Sequence, residues 1–498
     1  MVAACAALAA GSAAAFTAAS ASQVPGGTAV NPYSPAAGHT YRHGVVATRG
    51  TAARMRSWAA AHPVAPALSV NDLNYGGGID GIGVTTGQEK VYLVFYGSQW
   101  GSSGTDGNGN TTLSGDPSGA APYVQRLFKG LGTNGERWSG VMTQYCQGVA
   151  LGAQSCPSGA AHVAYPTSRP LAGVWVDEST ASPRQATGHQ LALEAIRAAA
   201  HFGNTTAAAN RNAQYDILSP TGTNPDGFNT STGQFCAWHD YNGDTTLTGG
   251  AASSPYGDIA FTNLPYVTDA GTACGQDFVN SGGTLDGFSI VNGHEYAETI
   301  TDQNPPGGWT DVSQNENGDK CAWISPGSSG GSFDLSLATG SFAMQTTWAN
   351  DGAGGAGSCE ASHPIVGGGG TPTGPITSGM AGKCVDDFHG GVTNGTKVDL
   401  YSCNGTASQR WAVVTGGTLR INGKCMDITG ARTANGTKIE IYTCTGGWNQ
   451  VWRPLSDKEL LNPHSGKCLD DPGYSTTNGT QLDIWTCRGG ANQQWKLP

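Results

Sequence analysis

The residues best suited to chemistry lie in the stretch GHEYAETITD at 293–302. In a helix, His294 and Glu298 stand four residues apart and project from one face, with the Glu295 carboxylate one residue round beside them. An imidazole and a carboxylate on one face begin a metal site. The form with a second histidine, H-E-x-x-H, holds zinc and uses its glutamate as general base. Here the second ligand position carries Glu298. Glu316 follows 18 residues later, with Asp319 and Cys321 just beyond it, in a chain of which only 12% is charged. That spacing allows a loop and return with Glu316 as third ligand and Asp319 as its substitute or outer partner. An exposed helix with a solvated acidic face would carry the same residues, so the neighbouring acids and the pinning cysteine decide in favour of a site.

Within such a site, Glu295 would take a proton from the attacking water and pass it to the leaving group. Two carboxylates cancel the charge of a divalent cation, so the site should acidify bound water less than a histidine-rich one and tolerate harder metals better; Zn2+ comes first, with calcium and manganese also fitting. His239 would donate to a developing oxyanion or serve as a further ligand; as a plain hydrogen-bonded histidine it would do neither. Other schemes are weaker. Gly330-Gly331-Ser332 lacks the strand-to-helix context of a nucleophile elbow. Paired acids at Asp177/Glu178 or Glu316/Asp319 keep a glycoside hydrolase open as the first alternative. A secreted glycan-binding protein without activity, its acids holding a structural cation, is the second.

The elements that must position these groups are read from pattern. Asp286 or Ser289 is expected to cap the motif helix, Ile290, Val291, Ala297 and Ile300 to supply its apolar positions, and NPPGG at 304–308 to stop it. VYLVFY at 91–96 is a continuous apolar run and predicts a buried strand. GVWVD at 173–177, YDIL at 215–218 and IAF at 259–261 predict further strands, the last two separated by FCAWHDY at 235–241. Helices are predicted over 122–131 and 185–202. The order predicts an α/β or α+β domain over 88–366.

These blocks resemble the phosphate-induced, or exordium-like, proteins. The shared features are VYLVFYG, DILSPTG followed by FCAWH, the GHEYAETITD helix, and a downstream W-x-D with ENGDKC. The likeness spans roughly 88–362 in the same block order and implies that His239, Glu316 and Asp319 belong with His294, Glu295 and Glu298. The long Gly- and Asn-rich insertion at 101–118 departs from that family. Together with H-E-x-x-E, the reading is of a zincin-like catalytic domain, most simply a metallopeptidase.

Export is the expected context. Residues 1–22 form an Ala-rich signal peptide with small residues before the cut, and 23–87 are read as a propeptide or flexible lead-in. Apart from Cys5 there are 12 cysteines, an even number. Neighbour pairing would join Cys146 to Cys156, Cys236 to Cys274 and Cys321 to Cys359, among fifteen possible connectivities of those six. The rest, Cys384/Cys403, Cys425/Cys444 and Cys468/Cys487, are pairs 19 apart. A net charge of -11 with no Lys/Arg cluster argues against nucleic acid or an anionic membrane as partner. A secreted, extracellular monomer is expected.

After a Gly/Pro/Thr linker at 367–375 comes a threefold repeat over 376–498. Its copies read GKCVDD, NGTKVDLYSC, SQRW; GKCMDI, NGTKIEIYTC, NQVW; and GKCLDD, NGTQLDIWTC, NQQW. Each N-G-T is read as a turn into a strand, and the paired cysteines as the clip of each lobe. This resembles a ricin-type β-trefoil lectin, whose Q-x-W signature falls at Gln409/Trp411, Gln450/Trp452 and Gln493/Trp495. Those six are read as core. A sugar site needs a carboxylate for vicinal hydroxyls beside an aromatic ring for the apolar sugar face. The resemblance gives these as Asp386 with Tyr401, Asp427 with Tyr442, and Asp470 with Trp485. It also gives an asparagine before Q-x-W, kept as Asn449 and Asn492 but replaced by Ser408, where Asn404 is expected to compensate. The implied partners are polysaccharides or glycoprotein glycans with galactose- or xylose-type sugars.

Overall fold

The computed structural model describes residues 31–62, 72–157, 160–167, 169–231, 233–366, 373–414, 417–455 and 458–497. The leader at 1–22, the lead-in at 23–30 and 63–71, and the linker at 367–372 lie outside the described residues.

The N-terminal domain is built on a six-stranded sheet. In chain order its elements are β1 (His43–Ala47), α1 (Arg49–Ala61), β2 (Lys90–Tyr96), α2 (Ala120–Gly130), β3 (Leu171–Asp177), α3 (Gly188–His201), β4 (Ala213–Leu218), β5 (Phe235–Tyr241), β6 (Ala260–Leu264) and α4 (Asp286–Thr301). The sheet order is β1-β5-β6-β4-β2-β3. β3, β2, β4 and β6 pair in parallel, whereas β5 runs antiparallel between β6 and β1. β2 is joined to β3 through α2 and β3 to β4 through α3, whereas the chain passes from β4 to β6 by way of β5. β2 reads as an unbroken apolar run because it has a neighbour on each side and is buried throughout past Lys90.

Two expectations need correction here. FCAWHDY at 235–241 is not a separator but β5, buried along its whole length. Of residues 23–87, the described 31–62 and 72–87 are not a detached lead-in: β1 is an edge strand of the sheet, with His43 opposite His239, and Leu73, Tyr75 and Val84 belong to the core. A chain cut at residue 88 would lose β1, α1 and part of the core.

α4 is the central helix, and all 16 of its residues are buried. It packs against β5, β1, α2 and the hairpin of β7 (Phe333–Leu337) and β8 (Gly340–Met344). A solvated acidic face is thereby ruled out. Its cap also differs from expectation. Leu285 is the N-cap, without a side-chain bond, because the Asp286 carboxylate accepts from Val279 N and Asn280 N at 2.8 and 2.7 Å and so closes the preceding loop. Ser289 is 2.9 Å from the Tyr123 hydroxyl instead. At the far end Asp302 Oδ1 accepts from Gly308 N, fixing the turn after the helix.

The C-terminal domain has three lobes, whose paired strands are β9 (Lys383–Asp387) with β10 (Thr396–Ser402), β11 (Lys424–Ile428) with β12 (Thr437–Thr443), and β13 (Lys467–Asp470) with β14 (Asp483–Thr486). It has a core of its own, in which Trp411, Trp452 and Trp495 are buried. Their indoles donate to Val385 O, Met426 O and Leu469 O at 2.9, 3.3 and 3.0 Å. Truncating any one to alanine should cost about 3–5 kcal/mol. The asparagine of each N-G-T turn clasps another lobe. Asn394 Oδ1 accepts from Thr443 N, Asn435 pairs with the Thr486 hydroxyl, and Asn478 Oδ1 accepts from Ser402 N.

All six disulfides join the cysteines that neighbour pairing and the 19-residue spacing single out. In the first domain they are Cys146–Cys156, Cys236–Cys274 and Cys321–Cys359. In the second they are Cys384–Cys403, Cys425–Cys444 and Cys468–Cys487. The two ends of each lobe's clip are not alike, which its regular spacing does not reveal. Cys384, Cys425 and Cys468 are buried within β9, β11 and β13. Cys403, Cys444 and Cys487 each lie one residue past the end of β10, β12 and β14, so the strand of each copy stops short of its second cysteine. Cys403 is exposed, and Cys444 and Cys487 are half-buried. Each bond therefore fastens the loop that leaves the strand onto a buried sulfur. Cys403 N also donates to Gly382 O at 2.9 Å, closing the first lobe's loop from the backbone side.

Candidate functional site

One face of α4 supplies His294 and Glu298. The return segment after the helix brings Glu316 and Asp319 to them, held by the Cys321–Cys359 disulfide, and β5 brings His239. Two sets of ligand-type atoms result, each with its atoms within 4.8 Å of one another. One comprises His294, Glu298 and Asp319, the other His239, Glu298 and Glu316, so Glu298 is common to both. His294 Nε2 is 2.8 Å from Glu298 Oε2 and 3.7 Å from Asp319 Oδ1. His239 Nε2 is 3.2 Å from Glu316 Oε1. Glu298 Oε1 accepts from Asp319 N at 2.8 Å, which orients the shared carboxylate.

The tautomer of His294 follows from Gln345. The Gln345 amide nitrogen donates to Gly318 O at 2.8 Å, so its Oε1 must be the acceptor for His294 Nδ1–H at 3.1 Å. In the neutral ring Nε2 is then a bare lone pair facing Glu298. At 2.8 Å, His294 Nε2 and Glu298 Oε2 form a buried ion pair when the ring is protonated, and without that proton neither atom has a hydrogen-bond partner. A histidine that ligates a metal ordinarily donates its other ring N–H to a fixed oxygen, and Gln345 offers one here. The cradle is close as well. A Cβ on Gly44, at φ +51°, would strike Glu298 Oε2 and the His239 ring, and one on Gly318 would lie 2.8 Å from Glu298 Oε1.

Burial sets the electrostatics. It pushes the carboxyls of Glu295, Glu316 and Asp319 well above their ordinary range, and neighbouring carboxylates add to the effect. Burial also holds His239 well below 6.5, with the His43 and His294 charges acting the same way. For His294 burial acts downward, but the Glu298 and Asp319 carboxylates outweigh it and raise the ring to about 9. Such a group favours whatever brings positive charge, whether protons or a cation.

Glu295 belongs to neither ligand set. It is buried, and neither of its oxygens has a hydrogen-bond partner, so its carboxyl is free to hold a proton. Of the acid pair Asp177/Glu178, Asp177 is buried at the end of β3 and accepts from Ser179 N, while Glu178 is exposed. They do not face a common point. Sequence reasoning missed Gln345, Gly44 and Gly318, whose types carry no chemical signal until the fold places them. It also missed a third group, His43, Asp240 and Asp244, of which only Asp240 falls within a stretch singled out from the sequence, FCAWHDY at 235–241. A further set, Glu459 with Cys468 and Cys487, has its sulfurs tied in a disulfide.

In the three-lobed domain each acid has a hydrogen-bonded neighbour. Asn449 and Gln450 both donate to Asp427 Oδ2, at 2.8 and 2.7 Å, and Asn492 donates to Asp470 Oδ1 at 2.9 Å. In the first lobe Gln409 alone donates to Asp386, at 2.9 Å. Asn404 does not take the missing place: its side-chain oxygen accepts from Thr406 N and Oγ1, an Asx turn that holds it at its own loop. Tyr401 and Tyr442 are exposed and Trp485 is half-buried, each ring directly opposite the cysteine two residues before its lobe's acid. The second cysteines, Cys403, Cys444 and Cys487, stand two residues beyond those rings, so the disulfides anchor the strand ends that carry them.

Residues 372–495 match the family model of the ricin-type beta-trefoil lectin domain, so this part of the chain is such a domain, a carbohydrate-binding lectin module. Among solved structures the chain is similar to the designed three-fold symmetric protein ThreeFoil at 33% identity, over 25% of this chain and 97% of that one, with a TM-score of 0.25. It is similar to the agglutinin of Abrus precatorius at 27% identity, over 25% of this chain, with a TM-score of 0.24. It spans only 48% of that agglutinin's chain. The C-terminal half of an earthworm R-type lectin is similar at 19% identity, over 25% of this chain and 97% of that one, with a TM-score of 0.23. No curated protein matches the chain.

Proposed function

We propose that the chain is an extracellular metal-dependent hydrolase held on glycans by its lectin domain, with a zincin-like, peptide-cleaving N-terminal domain. The observation that carries the reading is the buried meeting of His294 Nε2 and Glu298 Oε2 at 2.8 Å, with the other ring nitrogen held by Gln345. His294, Glu298, Asp319 and Glu316 would hold the ion, Zn2+ first, with calcium and manganese also suited to so acidic a set. When bound, a divalent ion supplies Lewis acidity toward water and a polarised carbonyl. Glu295, its oxygens unengaged, takes up and returns the proton, and His239 steadies negative charge or completes the ligands. The six disulfides support an extracellular setting, and no helix among the described residues is long and apolar enough to cross a membrane. A monomer acting on polysaccharide or glycoprotein with galactose- or xylose-type sugars fits the lectin resemblance.

The burial of the site favours a second reading. His294, Glu298, His239 and Glu316 are almost wholly enclosed, and only the Asp319 side chain keeps 14% of its surface. A structural cation in a glycan-binding protein without activity needs no more access than that. Elemental analysis combined with Glu295→Gln separates the two. The hydrolase is supported if the ion remains while peptide cleavage falls by about 10^2- to 10^4-fold. An ion with no turnover on peptide or glycan supports the structural role. Glycan cleavage indifferent to chelator would instead indicate a glycoside hydrolase.

A further inference from the structure

β5 carries two chemistries in adjacent positions. His239 belongs with α4, whereas Asp240, the next residue, enters a different set. Asp240, Asp244 and His43 each offer one ligand-type atom, and these atoms lie within 4.8 Å of one another. His43 Nε2 is 3.7 Å from Asp244 Oδ2. Asp240 is fully buried. Its Oδ1 accepts from Tyr241 N at 2.7 Å, but its Oδ2 has no hydrogen-bond partner.

Two carboxylates with oxygens within 4.8 Å of one another, one of them fully buried, repel unless something positive lies between them. The surroundings hold them in that arrangement. Asn242, between the two acids, accepts from Ile259 N and donates to Ala252 O, both at 2.7 Å, and Asp244 accepts from Thr246 N and Oγ1 at 2.7 and 2.9 Å. These bonds prevent Asp244 from swinging out into solvent. The His43 and Asp244 side chains keep 15% and 13% of their surface, enough for water to reach the group.

We propose that His43, Asp240 and Asp244 form a second cation site, distinct from the group on α4. One imidazole and two carboxylates neutralise a divalent ion and suit Zn2+ or Mn2+, with water filling the remaining positions. The ion would tie β1 to β5 beside the His43–His239 pair, so it would also brace one wall of the α4 group. The proposal does not depend on the hydrolase reading.

The test counts ions. Full-length protein is stripped with chelator, dialysed against Zn2+ or Mn2+, and analysed for bound metal beside Asp240→Asn, Asp244→Asn, Glu298→Gln and the double variant Asp244→Asn/Glu298→Gln. Either aspartate variant is expected to bind one ion fewer than the parent, and the double variant two fewer. His43→Gln, at a partly exposed position and less apt to disturb folding, is expected to weaken one class of binding by about tenfold or more. Unchanged counts in the aspartate variants and unchanged affinity in His43→Gln would mean that a shared proton holds the carboxylates, which overturns the proposal. Loss of an ion in Glu298→Gln alone would leave the α4 site standing without this one, and loss in the Asp244 variant alone would do the reverse.

Discussion

At the scale of residues, the position of one proton on His294 decides what the group on α4 can hold. Gln345 Oε1 accepts from Nδ1–H and leaves Nε2 to the centre of the site. Gln345→Leu should therefore weaken divalent-ion binding by about 10- to 100-fold, measured by competition with a chelator, while glycan binding is untouched. A second prediction concerns pH. Burial raises the Asp470 carboxyl to about 6, and Asp471 beside it is raised to about 7 for the same reason. Sugar hydroxyls need the ionised form, so glycan affinity in the third lobe should fall as pH drops through about 6, and Asp470→Ala should remove that dependence. The free domain responds in the opposite sense. A carboxyl raised by folding contributes stability that is complete below its unfolded value near 3.8 and is lost as pH rises through about 6. Thermal melts should show a gain where sugar affinity falls. His294, Glu298, Glu316 and Asp319 were legible in the sequence because their spacing and charge are unusual in so sparsely charged a chain. Gln345 was not, because an amide becomes informative only once a neighbour gives its oxygen a partner.

At the scale of elements, α4 shows how burial misleads periodicity. A helix enclosed on every side has no polar stripe, and its acids look solvated until sheet and hairpin are seen to cover them. β5 escaped notice because His239 and Asp240 interrupt its apolar run, and both are buried as candidate ligands. β1 escaped because an Ala/Gly/Thr-rich approach reads as linker, although Gly44 is the residue that lets the backbone come close to Glu298. Gly44→Ala should accordingly cost about 1–3 kcal/mol in stability from the positive φ alone and should displace Glu298, seen as lost ion binding. The return segment is pinned by Cys321–Cys359, a loop of 38 residues. Replacing both cysteines with serine should destabilise the domain by about 4 kcal/mol on the chain-entropy account, read by denaturant titration.

At the scale of the whole molecule, the chain has two separate hydrophobic cores, one under the mixed sheet and one inside the three lobes. The repeat made the second core legible because each copy restates the same tryptophan, turn and cysteine pair. It did not show that Cys403, Cys444 and Cys487 sit outside that core, because spacing fixes which sulfurs meet and not how deep each one lies. The first core had to be assembled from strands distant in sequence. Several weak sugar contacts acting together should matter most on polymeric ligand. Combining Asp427→Ala with Asp470→Ala should reduce binding to immobilised polysaccharide by about 10^2-fold or more, yet change affinity for a free monosaccharide far less, as isothermal titration would reveal. The asparagine clasps run from the first lobe to the second, the second to the third, and the third back to the first. A ring of that kind has no privileged beginning. New termini opened between the first and second lobes, with the old ends joined, should leave all three clasps and the shared interior in place, whereas deleting any one lobe breaks two clasps at once and should leave nothing that folds.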